Sequence, residues 1–188
     1  FTADYPRVYG MKLTDKWSSL TFFNEDEEHP QKVSIKLSGI EGCGGVGLQA
    51  DKRYYVYDFW NDKLIGAFGG NDTLEQELRK GEARQMAVRE VENNPQVLST
   101  DRHLLQGFLE LSEVFWNGET QELTGWAELV EGEPMHIAIA INGWQPRHCT
   151  VSDKEVICSL ENSSEDVVKL SLESEHGGKV LWKFSFKK

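Results

Sequence analysis

The 188-residue sequence has no long apolar run: none approaches the ~18 consecutive residues that a bilayer-spanning helix needs. It is also short of positive charge. Twenty Lys and Arg face 31 Asp and Glu, a net charge of −11. Nucleic-acid binding rests on dense positive charge against phosphate, so no nucleic-acid partner is expected. An anionic membrane surface is disfavoured for the same reason. A neutral partner, such as a sugar or another protein, stays open. Cysteines number only 3, Cys43, Cys149 and Cys158. An odd count without metal spacing does not make a disulfide framework. Reduced thiols in a cytoplasm are the expectation, with one Cys149–Cys158 bridge across a hairpin as the alternative. The chain opens on Phe1-Thr2-Ala3-Asp4, neither a Met start nor a basic, apolar signal peptide, and reads as a fragment or a processed product.

What is present is the composition of a globular protein: 39% apolar residues and 17 glycines. At roughly 150 residues per domain, the length allows one large domain or two small ones. A chain of this size can bury about 70% of its unfolded surface, so a real core is within reach.

The dominant period is two. Val33, Ile35 and Leu37 alternate with Ser34, Lys36 and Ser38, and Met135, Ile137, Ile139 and Ile141 alternate with smaller or polar residues. Val180, Trp182, Phe184 and Phe186 do the same near the end of the chain. Such alternation marks strands with one buried face. Similar runs occupy residues 17–23, 54–60, 63–68, 85–91, 108–116, 122–130, 155–160 and 167–173. Between them lie turn signals. Asn117-Gly118 is the strongest, because both residues tolerate positive φ, and Asn61-Asp62, Glu131-Gly132, Asn142-Gly143 and Gly177-Gly178 follow. Short connections join antiparallel neighbours. The single helical candidate is 73–80, where Leu74 and Leu78 are four apart. The expected fold is all-β: an antiparallel β-sandwich, one large or two small in series, with about twelve strands and little helix. Pro and polar residues interrupt the pattern between Asn93 and Gly107, so the expected division is 1–107 and 108–188.

No cofactor or metal motif stands up. Gly42, Gly44 and Gly47 fit G-x-G-x-x-G, but the run leads towards a strand, where a phosphate-binding loop needs a helix. A flexible glycine loop is the plainer reading. His29, His103, His136, His148 and His176 show no zinc-ligand spacing. Asp101-Arg102-His103 holds catalytic residue types, yet triads assemble in space rather than along the chain, and no nucleophile presents itself. It reads as a hydrogen-bonded corner. Glu25-Asp26-Glu27-Glu28 reads as a solvated hairpin tip that blunts a sheet edge. Of the 6 tryptophans, Trp17 and Trp182 read as core. Trp126 and Trp144 are the candidates for exposed aromatics that meet a sugar or a protein, unless a second sheet covers them.

Two phrases resemble a known family. They are Tyr54-Tyr55-Val56-Tyr57-Asp58-Phe59-Trp60-Asn61-Asp62-Lys63-Leu64-Ile65-Gly66, and Asn94-Pro95-Gln96-Val97-Leu98-Ser99-Thr100-Asp101-Arg102-His103 closed by Gln106-Gly107. With Phe22-Phe23-Asn24-Glu25-Asp26-Glu27 they look like the all-β region after the catalytic barrel of melibiase-like α-galactosidases and related bacterial glycoside hydrolases. The resemblance covers roughly residues 6–107 and loosens beyond. It implies a C-terminal β-sandwich region that packs beside a (β/α)8 barrel of the same enzyme and borders its substrate cleft. Such a barrel needs about 250 residues of alternating strand and helix, so no catalytic residue is carried onto this chain. The alternatives are an independent carbohydrate-binding module, with Trp126 and Trp144 as its aromatic contacts, and an immunoglobulin-like adhesion domain.

Overall fold

The computed structural model describes residues 7–41, 44–162 and 164–188. It bears out the all-β expectation: the described residues form fifteen strands, all paired strands run antiparallel, and none of these residues is α-helical. They fall into two units that divide between Val91 and Glu92. Each unit has its own core, and neither core draws on the other unit.

The first unit holds β1 (Val8–Thr14), β2 (Trp17–Phe23), β3 (Gln31–Glu41), β4 (Arg53–Asp58), β5 (Lys63–Gly69), β6 (Thr73–Leu78) and β7 (Ala83–Glu90). A five-stranded sheet runs β1-β2-β7-β4-β5, and β3 and β6 form a two-stranded sheet. Leu20, Phe22, Val56, Met86 and Val88 of the larger sheet bury against Val33, Leu37, Leu74 and Leu78 of the smaller one. The second unit holds β8 (Gln96–Thr100), β9 (Leu111–Asn117), β10 (Glu122–Leu129), β11 (Met135–Ala140), β12 (Gln145–Val151), β13 (Ile157–Asn162), β14 (Val167–Glu173) and β15 (Gly178–Lys187). Its two four-stranded sheets run β12-β15-β10-β9 and β13-β14-β11-β8. Leu123, Ala127, Val180, Trp182 and Phe184 of one meet Ile137, Ile139, Val168, Leu170 and Leu172 of the other. This is the two-layer arrangement in which each sheet hides one apolar face.

Several expectations are corrected. The helical candidate is β6: Leu74, Gln76 and Leu78 are buried while Thr73, Glu75 and Glu77 are exposed. Two leucines four apart satisfy a period of two as well as 3.6, and the residues between them decide. The division expected at Gly107 comes earlier, because β8 pairs with β11 and so joins the second unit. Trp17 was expected in the core, yet Leu20 and Phe22 take the inner face of β2. Trp17 is half-buried instead, with the Arg89 guanidinium 3.4 Å from its ring centroid.

The hairpin at Asn117-Gly118 is present, but not through the anticipated positive φ. The Asn117 side chain accepts hydrogen bonds from the amides of Glu119 and Thr120 at 3.0 and 3.2 Å, and Gln121 takes the left-handed conformation at φ 57°. The acidic run is no hairpin tip. It lies between β2 and β3, which belong to different sheets, so it carries the chain across. The thiols expected to be reduced are joined instead. Cys149 and Cys158 form a disulfide with Cα atoms 6.3 Å apart. They sit on β12 and β13, in opposite sheets, so the bond ties the two layers of the second unit. Cys43 and Gly42 of the formal glycine motif lie outside the described residues.

Candidate functional site

In the first unit, the tyrosine-rich phrase builds the hairpin between β4 and β5. Tyr57 and Asp58 are fully buried at the end of β4. The Asp58 carboxylate accepts from the Asn61 amide nitrogen at 3.1 Å and from its side-chain NH2 at 2.7 Å. The Tyr57 hydroxyl donates to the Asp62 carboxylate at 2.8 Å, and Asp62 takes φ 48°. The Phe59 amide donates to the Gln85 carbonyl at 2.9 Å on β7. Tyr57, Asp58, Asn61 and Asp62 are thus joined by partly buried side-chain hydrogen bonds, which fix the tip. At that tip Trp60 is 63% exposed, packed edge-on against Phe59 with ring centroids 5.0 Å apart. A large aromatic held rigidly in solvent is the form of an interface anchor: apolar area with little conformational freedom left to lose.

The acidic crossover is a second rigid loop. The Asp26 carboxylate accepts from the amides of Glu28 and His29 at 2.8 and 2.9 Å and from the Gln31 side chain at 3.0 Å. These donors favour the charged form and hold the carboxyl down at about 2. Asn24 is buried behind it and donates to the carbonyls of His29 and Arg79. The run is a structural loop. Among the described residues no group of His, Cys, Asp and Glu could hold a metal ion.

In the second unit, the Asp101-Arg102-His103 segment becomes a polar corner, as its residue types suggested, with partners that no local reading names. Asp101 accepts from the His136 amide at 2.9 Å and lies 2.6 Å from the His136 ring Nδ1. Arg102 binds the carboxylate and the carbonyl of Glu133. His103 instead receives the Leu105 amide at 3.2 Å. Ser99 donates to Gln106 at 2.9 Å inside the turn. No hydroxyl or thiol is placed on His103 or His136 by these contacts, so the corner lacks the nucleophile–base pair that hydrolysis by a triad requires. Beyond the corner, Leu109 is 61% exposed and Leu104 45%.

Trp126 and Trp144 do not come together. Leu123, Ala127 and Leu129 of β10 face the core, so Trp126 lies on the outward face of its sheet. It is half-buried there, with the Lys179 ammonium 5.4 Å from the ring centroid. Phe115, 57% exposed, is opposite Thr124 and therefore shares that outward face. The register shifts between Thr124 and Trp126, so Trp126 stands opposite Ser112. Trp144 follows the Asn142-Gly143 turn and packs inward. Its ring meets Trp116 at 4.9 Å between centroids, and its Nε1 donates to the Asn93 carbonyl at 3.3 Å. It packs against the end of the core, with the Lys188 ammonium 5.6 Å from its ring centroid. Trp60 and Phe115 were passed over in the sequence, although Trp60 sat beside a turn signal, where an aromatic has no strand neighbours to cover it.

Fold and surface together define an all-β protein of two antiparallel sandwich units whose described residues include polar corners and exposed aromatic side chains. No family model matches the chain, and no curated protein matches it. Among solved structures, it is similar over 95% of its length to 34% of an isomalto-dextranase of Arthrobacter globiformis T6 solved with panose, at 9% identity and a TM-score of 0.36. The chain thus spans about a third of the length of that enzyme. A likeness this distant fixes neither activity nor partner.

Proposed function

We propose that the chain is a non-catalytic β-sandwich region of a glycoside hydrolase, of the α-galactosidase-like kind its sequence phrases resemble, and that it docks beside a (β/α)8 barrel. The observation that carries this reading is the Tyr54–Trp60 phrase itself. Its buried Tyr57 and Asp58 lock a hairpin that holds a large apolar ring, Trp60, 63% exposed. A loop kept this rigid around an exposed ring suits a permanent neighbour better than a diffusing substrate. Leu104 and Leu109 add exposed apolar surface in the other unit. The polar corner at Asp101 supplies no nucleophile, which supports a non-catalytic role.

The test has two arms. The coding sequence around the chain is read for a (β/α)8 barrel in the same frame, and the purified chain is incubated with aryl α-galactosides and other aryl glycosides. A barrel in frame and an inert chain are the expected results. Turnover that survives stringent purification, or a frame without a barrel on either side, overturns the reading. A second reading, an independent carbohydrate-binding module, is favoured by Phe115 and Trp126 on one outward sheet face. Thr124 lies between them in register, its Oγ1 buried and without a hydrogen-bond partner among the described residues. Calorimetry against neutral oligosaccharides separates the two: heat that vanishes in Trp126→Ala supports the module, and silence at millimolar sugar removes it.

A further inference from the structure

One sheet of the second unit, in the order β12-β15-β10-β9, turns a face outward whose side chains converge on a single buried hydroxyl. Leu123, Ala127, Val180, Trp182 and Phe184 point into the core. A strand reverses its side chains at every residue, so Thr124 and Trp126 of β10 and Leu181 and Lys183 of β15 point out. The β10–β15 ladder is regular here and sets Thr124 opposite Lys183 and Trp126 opposite Leu181. On the other flank of β10, Thr124 stands opposite Phe115 of β9. Beyond Lys183 the next residue in line is Thr150 of β12.

These pairings fix the spacing. Residues directly opposite have Cβ atoms about 4.5–5.5 Å apart, and diagonal neighbours such as Lys183 and Trp126 lie about 7–8 Å apart. Phe115, Trp126 and Lys183 therefore stand around Thr124, within reach of one ligand. Thr124 is 6% exposed, and its Oγ1 is buried without a hydrogen-bond partner among the described residues. A buried hydroxyl left unpaired costs free energy, which a ligand oxygen recovers by bonding to it. Lys183 beside it is exposed and sits on a flexible four-carbon stem, so it swings aside readily.

Charge selects the ligand. The chain carries a net charge of −11, yet β15 presents Lys179, Lys183 and Lys187 on this face. Lys179 stands opposite Glu128, with its ammonium 5.4 Å from the Trp126 centroid. Glu122, the other acid that β10 puts on this face, stands opposite Ser185. Lys183 has threonine on both sides and forms no ion pair among the described residues. Screening at physiological salt limits charge effects to about 8 Å, so the distant acids that dominate the total weigh little at Lys183. An unpaired ammonium beside two aromatic rings and two threonine hydroxyls suits a ligand that combines a carboxylate, apolar ring faces and hydroxyls. An acidic sugar carries all three, whereas an acidic peptide lacks the hydroxyl-rich rings.

We propose that this face binds an acidic oligosaccharide, with a uronate carboxylate on the Lys183 ammonium and a neighbouring sugar ring against Trp126 and Phe115. This rests on the carbohydrate-binding reading of the same face and adds the charge of its ligand.

The test is calorimetry on the full chain with trigalacturonate and a hyaluronan tetrasaccharide. Each is compared with its methyl ester, which keeps the sugar chain and loses the charge, and with oligo-glutamate, which keeps the carboxylates and has no sugar. At least one acidic saccharide binds about tenfold or more tightly than its ester and than oligo-glutamate, the difference a charge-assisted or ring contact makes. The preference shrinks as salt is raised. Lys183→Gln brings the acid down to the level of its ester and leaves the ester's affinity and the melting curve in place. Trp126→Ala weakens acid and ester alike; should it also lower the melting temperature, Phe115→Ala, at a 57% exposed ring, gives the same readout without disturbing the fold. An ester bound as tightly as its acid, or a preference that survives Lys183→Gln, overturns the acidic ligand and leaves the carbohydrate reading standing. Oligo-glutamate bound as tightly as the acidic saccharides overturns the saccharide. No heat from any of these probes at millimolar concentration overturns both.

Discussion

Trp182→Ala should be the most damaging single change in the second unit. Trp182 is 0% exposed and faces Gly125 directly across the β10–β15 ladder. The pair is complementary: a Cβ on Gly125 would stand 2.9 Å from Trp182 Cζ2 and 2.9 Å from Val114 Cγ2. The indole therefore covers a position that a side chain would otherwise occupy. Truncation of a buried Trp typically costs about 3–5 kcal/mol, from lost burial plus the cavity left behind. One correction lowers that figure. The Trp182 Nε1 is buried without a hydrogen-bond partner among the described residues, so its removal relieves a desolvation cost of about 1–3 kcal/mol and orphans nothing. The net expectation is about 2 kcal/mol. In a unit this size that lowers the midpoint of its thermal transition by about 8–16 °C, at 4–8 °C per kcal/mol.

The companion change is Gly125→Ala, which should cost about 1–3 kcal/mol by overpacking against the indole. In the double variant Gly125→Ala with Trp182→Ala, the new methyl enters the space the indole left, and the two costs should fall short of adding by 1 kcal/mol or so. The assay is equilibrium denaturation in urea of wild type, both single variants and the double variant, followed through the transition of the second unit. A loss below about 1 kcal/mol for Trp182→Ala would refute the reasoning, as would full additivity, because each means that the indole does not fill the space over Gly125.

Trp60→Ala should leave stability within about 0.5 kcal/mol, because the ring is solvent-facing, yet weaken docking to a separately expressed barrel by about 2 kcal/mol or more; unfolding curves beside a binding titration check both. Trp144→Ala should destabilise more than Trp126→Ala, since Trp144 packs on Trp116 at the end of the core and Trp126 lies on an outward face; paired denaturant curves decide the order. Reducing the Cys149–Cys158 bond, whose partners are nine residues apart, should lower the stability of the second unit alone by about 2–3 kcal/mol, read by comparing melts with and without reductant. The Asp26 carboxyl should titrate near pH 2 by NMR. Its folded pKa lies below the ordinary value of about 3.9, so its contribution is complete above pH ~4 and fades as the pH falls through ~2. Asp26→Asn should flatten that part of the stability–pH curve.

Alternation settles on its own that this chain makes sheets. β2 and β14 span the residues their apolar pattern marks, and Val180, Trp182, Phe184 and Phe186 face the core as their spacing requires. A strand reverses its side chains at every residue, so a period of two is written into any strand with one wet face. Turn chemistry is local too, which is why Asn142-Gly143 and Asn61-Asp62 were legible where they stand.

Where both faces of a segment are alike, the pattern has nothing to read. β8 is buried on both sides, with Gln96, Ser99 and Thr100 inside alongside Val97 and Leu98, so it shows no alternation. β1 and β12 are edge strands exposed for most of their length, and they show none either. On β2 aromatics occupy both faces, and only the sheet packed against Leu20 and Phe22 decides that Trp17 stays at the surface. The same holds for function. The partners Asp101–His136 and Arg102–Glu133 lie more than thirty residues apart, and Cys149–Cys158 joins two consecutive strands that belong to opposite sheets. Local preference acts over a few residues. Which edges stay open, and which aromatics stay uncovered, is set by how the layers stack, and that is decided only in three dimensions.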